Sequence, residues 1–109
     1  MFRVKKTMEV SASHKLHFSA DDSWEPLHGH NWKITIYCQS EELDEDGFVV
    51  NFLDIEAAIH DVLDHTDLGD VMDCNPSTEN LARWICEHVD KCYRVDVVEC
   101  CGNEATYEI

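Results

Sequence analysis

The sequence contains no stretch of about 18 consecutive apolar residues, which excludes a membrane-spanning helix of the usual kind. Basic residues are scarce: 8 Lys and Arg stand against 23 Asp and Glu, a net charge of −15. That balance argues against nucleic-acid binding through backbone phosphates and against docking on an anionic membrane. The opening residues, Met1-Phe2-Arg3-Val4-Lys5-Lys6, lack the apolar core of a signal peptide, so a cytoplasmic location is expected. The six cysteines (38, 74, 86, 92, 100 and 101) form no CxxC pair and no zinc-finger spacing. In such a compartment they are expected to be reduced. The one dense acidic run, Glu41 to Gly47, lacks the alternating acids of a helix-loop-helix calcium site and reads as an exposed hairpin loop. No internal repeat or linker interrupts the chain. Residues 1–109 fit one compact domain, with a core modest enough for a partner subunit to help.

What is present is periodic. Residues 2–14 alternate: Phe2, Val4, Met8, Val10 and Ala12 share one phase, and His14 ends it. A second strand over about 30–39 places Trp32, Ile34, Ile36 and Cys38 on one side, and His28 and His30 extend that phase. Residues 15–27 read as an irregular loop that bridges the two strands. Asn51 predicts a helix cap, with Phe52, Ile55, Ile59, Val62 and Leu63 at helical spacing up to about Asp64-His65. Asn75-Pro76-Ser77-Thr78-Glu79 opens a second helix with Pro in its first turn, and Leu81, Trp84, Ile85 and Val89 form its stripe. Strands over 93–99 and 104–109 follow, and Glu99 continues the inward phase of Tyr93, Val95 and Val97. The order β-β-α-α-β-β predicts an α+β domain with two helices on one face of an antiparallel sheet.

Polar rings on a core-facing phase need partners, because burying an unpaired polar group costs roughly 2–7 kcal/mol. His14, His28 and His30 meet at strand ends. Three nitrogens with a fourth position open is the pattern of a catalytic zinc. The alternative is a set of core histidines bonded to backbone groups. Asp64-His65 offers a carboxylate that could orient an imidazole near neutral pH, provided the backbone there is not helical; the same dipeptide is common on surfaces. Glu99 could accept two parallel N–H bonds from a guanidine-like edge such as an aminopyrimidine ring, or simply face solvent. Ser77, Thr78 and Glu79 read as a helix cap, a role compatible with ligand binding.

Six ordered blocks carry a resemblance along nearly the whole chain: Ser11-Ala12-Ser13-His14-Lys15-Leu16, Leu27-His28-Gly29-His30-Asn31, Gly47-Phe48-Val49-Val50-Asn51-Phe52, Leu63-Asp64-His65, Pro76 through Ala82, and Val97-Val98-Glu99. The sequence resembles the 6-pyruvoyltetrahydropterin synthase family, which includes the 6-carboxytetrahydropterin synthases of queuosine biosynthesis. The resemblance implies a tunnelling fold (T-fold) assembled as a trimeric barrel and often a homohexamer. It implies zinc on His14, His28 and His30, a pterin ring anchored by Glu99 with Ser77, Thr78 and Glu79 nearby, and a catalytic Asp64-His65 pair reaching across a subunit boundary.

One departure stands out. Most members carry a catalytic cysteine four residues before the first histidine of the HGH motif, where this chain has Trp24. Glu25 lies one residue later. The pattern is similar to the type III branch, in which glutamate replaces the cysteine. That branch implies a lyase that cleaves the side chain of 7,8-dihydroneopterin triphosphate to 6-hydroxymethyl-7,8-dihydropterin, a folate precursor. Glu25, Asp64 and His65 would then be catalytic, and Lys15, Lys33 and His17 lie near the segments that must meet the triphosphate, with no one of them singled out. The alternatives are a 6-carboxytetrahydropterin synthase-like enzyme and a zinc- and pterin-binding protein without turnover.

Overall fold

A computed structural model describes residues 1–109. The chain runs β1 (Phe2–His14), β2 (His17–Phe18), β3 (Ser23–Trp24), β4 (His28–Ser40), α1 (Phe52–Ala58), α2 (His60–Leu63), β5 (Thr66–Asp67), α3 (Leu68–Val71), α4 (Thr78–Glu87), β6 (Cys92–Cys100) and β7 (Asn103–Glu108). One sheet has the order β5-β1-β4-β6-β7, and β2 pairs with β3 as a separate short ribbon. All neighbours are antiparallel except the two-residue β5, which runs parallel to β1.

The alternation of the long strands decides the layering. Met8, Val10, Ala12, Trp32, Ile34, Ile36, Val95 and Val97 are buried on one face, against Ile55, Ile59, Leu63, Leu68, Leu81, Ile85 and Val89. The other face carries Arg3, Lys5, Thr7, Glu9, Asn31 and Lys33, all exposed. The two 13-residue strands pair in one unbroken register, so His14 stands directly opposite His28 and Ala12 opposite His30. The sheet's core phase thus terminates in imidazole.

Several local features differ from the periodic reading. The first helical segment is distorted at Ile59, which has φ −116° and ψ −63°. The i→i−4 bonds persist through it, from Ile59 N to Ile55 O and from Leu63 N to Ile59 O, so this is a one-residue distortion rather than a break. Phe52 and Val62 stay exposed, because the face turned to the sheet is defined by Ile55, Ile59 and Leu63. Pro76 precedes the N-cap of α4 instead of lying in its first turn; Ser77 is the cap, its Oγ accepting from Asn80 N at 3.1 Å. The acidic stretch leads from β4 to a helix rather than to a strand. Its turn is closed by Asp44, whose Oδ1 accepts from Asp46 N and Phe48 N, and by Gly47 at φ +85°. The bridging segment 15–27 contains the β2–β3 ribbon. All six cysteines are free thiols, and no helix is long and apolar enough to cross a membrane.

Trp32 ties the core to the histidines. Its ring is fully buried, its Nε1–H donates to Ala12 O at 3.1 Å, and His14 and His30 lean their rings on it at 4.9 and 5.2 Å. Trp32→Phe removes the indole hydrogen bond to Ala12 O and leaves a void under the two imidazoles, and its expected cost is about 1–3 kcal/mol, read as a lowered denaturation midpoint with unchanged m-value.

A three-histidine centre and the grooves around it

The strand ends deliver three imidazoles to one point. Ring centroids are 4.6 Å apart for His14–His28, 4.8 Å for His28–His30 and 5.3 Å for His14–His30. Two of the rings have a defined tautomer. Nδ1–H of His14 donates to Pro76 O at 2.7 Å, and Nδ1–H of His28 donates to Pro26 O at 2.9 Å. A carbonyl can only accept, so in each neutral ring the proton is on Nδ1 and the lone pair on Nε2. Those two Nε2 atoms face each other at 3.1 Å. Two lone pairs at that distance repel unless a cation lies between them. The third nitrogen, His30 Nε2, is buried without a hydrogen-bond partner. Burial pushes the His30 imidazole below its ordinary pKa, the neighbouring Glu99 opposes this, and His14 and His28 push the same way as burial. A neutral imidazole with an unshared lone pair is a metal ligand in waiting, and backbone carbonyls on the distal nitrogens are the usual outer shell of such a site. The donor set therefore fits zinc.

Two carboxylates border the cluster. Glu25 arrives from the segment after β3, with Oε1 at 4.0 Å from His14 Nε2 and 3.9 Å from His28 Nε2. It is held in place: its Oε1 accepts from Leu16 N at 2.9 Å, and its backbone N–H donates to Leu16 O at 3.0 Å. Glu99, near the end of β6, puts Oε1 at 3.0 Å from His30 Nε2, while its Oε2 accepts from the buried Thr78 hydroxyl at 2.8 Å. His14, His28, His30 and Glu99 form a group whose donor atoms all lie within 4.8 Å of one another. The sequence placed Glu99 near a pterin ring and not in the metal set; its inward phase beside β4 was the available signal for the second position.

Thr78, Glu79 and Glu99 also line a groove of about 540 Å³ with Asn103, Glu104 and Thr106. Three of the four residues assigned to ring binding thus share one cavity. Ser77 is occupied as the α4 cap. A second cavity of about 550 Å³ backs onto the centre through Pro76 and is lined by Lys15, His17, Trp24 and the aspartates 67, 70 and 73. Trp24, at the position of the missing cysteine, packs against His17 at 4.8 Å with Lys15 Nζ over its ring at 5.0 Å. Lys33 lies on the opposite face of the sheet, paired with Glu9 in register.

Asp64 and His65 make no hydrogen bond or ion pair with the three histidines of this chain. They are clipped to β1: Asp64 Oδ1 accepts from Ser11 N at 2.9 Å, and His65 N–H donates to Ser11 O at 2.6 Å. The backbone is non-helical, as coupling of adjacent residues requires. Asp64 is extended, and His65 has φ +60°, a conformation that His tolerates better than most residues. Asp64 Oδ2 lies 3.5 Å from His65 Nε2, whose side chain is 83% exposed. The Ser11 N–H holds the Asp64 carboxyl below the usual carboxylate range; burial opposes it, and His65 and His60 add to the lowering.

Comparison with known proteins agrees with this geometry. The family description 6-pyruvoyl tetrahydropterin synthase matches residues 3–109. A Bacillus subtilis 6-carboxy-5,6,7,8-tetrahydropterin synthase is 33% identical over 95 residues, covering 81% of this chain and 65% of the relative. A Pyrococcus furiosus dihydroneopterin monophosphate aldolase is 38% identical over 73 residues, covering 64% of this chain and 61% of the relative. The chain thus spans under two thirds of the length of both. Among solved structures, a Caenorhabditis elegans 6-pyruvoyl tetrahydropterin synthase superposes with TM-score 0.76 at 21% identity, covering 98% of this chain and 94% of that one. A Plasmodium vivax 6-pyruvoyltetrahydropterin synthase, solved as a catalytic-residue mutant with glutamate changed to cysteine, superposes with TM-score 0.60 at 17% identity over the full length of both chains. The sheet and helices described above are the T-fold of these structures.

His28→Ala removes one of the two opposed nitrogens, and bound zinc measured by atomic emission after dialysis is expected to fall well below one per chain. Asp64→Ala tests the clip to β1. Because the folded pKa is depressed, the stabilisation is present above the unfolded value of about 3.9 and is lost as pH falls through the lower folded value. The difference in melting temperature between wild type and Asp64→Ala is expected to be full at pH 7 and to shrink below about pH 4.

Proposed function

The chain belongs to the 6-pyruvoyl tetrahydropterin synthase family, and from that premise we propose that it is a zinc-dependent lyase cleaving the side chain of a 7,8-dihydroneopterin phosphate to 6-hydroxymethyl-7,8-dihydropterin. The observation that carries the reading is Glu25: a carboxylate fixed within 4.0 Å of two of the three histidine nitrogens, in a chain with tryptophan at the preceding position. Two relatives support it. One is an aldolase acting on dihydroneopterin monophosphate, and another has glutamate as its catalytic residue.

His14, His28 and His30 would hold the zinc, which supplies Lewis acidity toward the side-chain oxygens. Glu99 would accept the N–H groups of the pterin ring, with Thr78 and Glu79 lining the same groove. Cleavage requires removal of the C2′ hydroxyl proton. The C1′–C2′ bond then breaks, C2′ leaves as an aldehyde, and the electron pair stays on C1′, conjugated with the ring. Protonation of C1′ completes the hydroxymethyl product. Glu25 and His65 divide these two proton transfers, and Asp64 orients His65.

His65 lines a groove of about 540 Å³ with His30 but bonds to no histidine of its own chain, and the reading includes a homo-oligomer in which it completes a neighbouring site. The sheet's uncovered face suits such contact. Four of the eight bases, Arg3, Lys5, Lys33 and Arg94, share it with Glu9, Asp96, Glu104 and Glu108, so this face is balanced while the acidic excess lies elsewhere.

The triphosphate is the substrate form implied by the type III resemblance. The three aspartates around Lys15 and His17 favour a less charged tail, which makes the monophosphate the second reading. The zinc-loaded protein is to be incubated with each phosphate and its products identified by mass spectrometry. Hydroxymethyldihydropterin is expected, and a carboxy- or pyruvoyl-tetrahydropterin would refute the reading. Glu25→Gln is expected to lower kcat by about 100-fold or more while retaining zinc; unchanged turnover would remove Glu25 from the mechanism.

A further inference from the structure

Glu99 has two claimants. Its Oε1 lies 3.0 Å from His30 Nε2, yet the two atoms are not aligned as a hydrogen bond, since His30 Nε2 has no partner. A short contact without hydrogen-bond direction is what two donors to a common cation look like. Two of the six donor–donor distances come close to those of a zinc site. Ligand bonds of about 2.0–2.1 Å in a tetrahedral zinc site separate neighbouring donor atoms by about 3.3–3.4 Å. His14 Nε2–His28 Nε2 at 3.1 Å and His30 Nε2–Glu99 Oε1 at 3.0 Å make two opposite edges of such a tetrahedron, and all four atoms lie within 4.8 Å of one another. Glu25, at 3.9 and 4.0 Å and tied to Leu16 N, stays outside that group.

We infer that Glu99 is the fourth metal ligand of the substrate-free protein, and that a pterin ring entering the Thr78–Glu79–Glu99 groove must take this carboxylate from the metal. The inference rests on the zinc and pterin reading above. Thr78 holds the other oxygen, Oε2, at 2.8 Å, the support that a ligating carboxylate usually has. Each carboxylate oxygen keeps a second lone pair, but an oxygen bound to a metal is a weaker acceptor whose direction the metal sets, so two parallel N–H bonds from a ring edge are disfavoured while Glu99 ligates. Metal ligation and ring binding therefore oppose each other through one side chain, and the coupling is reciprocal. Release of Glu99 opens a coordination position only when the ring is seated. The free protein then presents a closed centre, and Glu25 remains a base rather than a ligand.

The test uses zinc, cobalt(II) and unsubstituted pterin, which has the ring edge but no side-chain hydroxyls. Chelator competition is expected to show zinc affinity lowered by about tenfold or more in Glu99→Gln and unchanged in Glu25→Gln. Pterin is expected to weaken cobalt binding severalfold in the wild type and to change the cobalt visible spectrum, with cobalt weakening pterin binding by the same factor. If Glu99→Gln does not fold, Thr78→Val is expected to give a smaller loss of affinity in the same direction. Wild-type zinc affinity in Glu99→Gln or, should that variant not fold, in Thr78→Val, or a cobalt spectrum indifferent to pterin, overturns the inference. So does a wild type that binds no zinc, which overturns the metal reading with it. A wild type that turns over substrate while Glu99→Gln keeps full zinc affinity defeats the ligation alone. One that binds zinc through Glu99 but forms no hydroxymethyl product defeats the reaction alone.

Discussion

Two imidazole lone pairs facing each other at 3.1 Å set the terms for the rest of the molecule. Proline carbonyls fix the tautomers, at Pro76 for His14 and Pro26 for His28. Neither ring can turn its proton inward without abandoning a carbonyl, and the third nitrogen, on His30, is buried without a donor. A cation resolves all three conflicts at once. The conflict is affordable because the surrounding sheet is over-determined: thirteen consecutive β1–β4 pairs and a buried Trp32 leave the rings nowhere else to go.

The same constraint explains the placement of the other groups. Pro76 must stand before the α4 cap for its carbonyl to reach His14, and this sets Ser77 as the cap and Thr78 as the first helical residue, within reach of Glu99. The α4 N-terminus thereby links the metal-competent cluster to the groove proposed for the ring. Glu25 is likewise held by Leu16, two residues after His14, so the strand that carries a ligand also positions the proposed base. Asp64 and His65 are fastened to Ser11 on that strand and bond to none of the three histidines. Such a division of the site fits assembly through the charge-balanced sheet face.

The period-2 pattern of residues 2–14 and 28–38 was enough to read the long strands and to bring His14, His28 and His30 into one phase, because half-burial is written in every second residue. The helical segment after Asn51 was legible for the same reason. Features that depend on tertiary contact were not. The β2–β3 ribbon exists because His17 and Trp24 pack together, and no periodicity can appear in two-residue strands. Pro76 was read by local helix preference, whereas a side chain 62 residues away claims its carbonyl. The position of Glu99 against His30 depends on the register of β6 on β4, shifted by a bulge near its start, and a register is a long-range property. The acid-rich composition signalled a solvated surface but not that one sheet face would be balanced in charge.

The central claim is that the strand ends build one metal centre on His14, His28 and His30. Zinc-edge anomalous diffraction from crystals of the zinc-loaded protein tests it most directly. A single strong anomalous peak within bonding distance of the three Nε2 atoms is predicted. Zinc scattered over the acidic surface with no peak among these nitrogens would contradict the account.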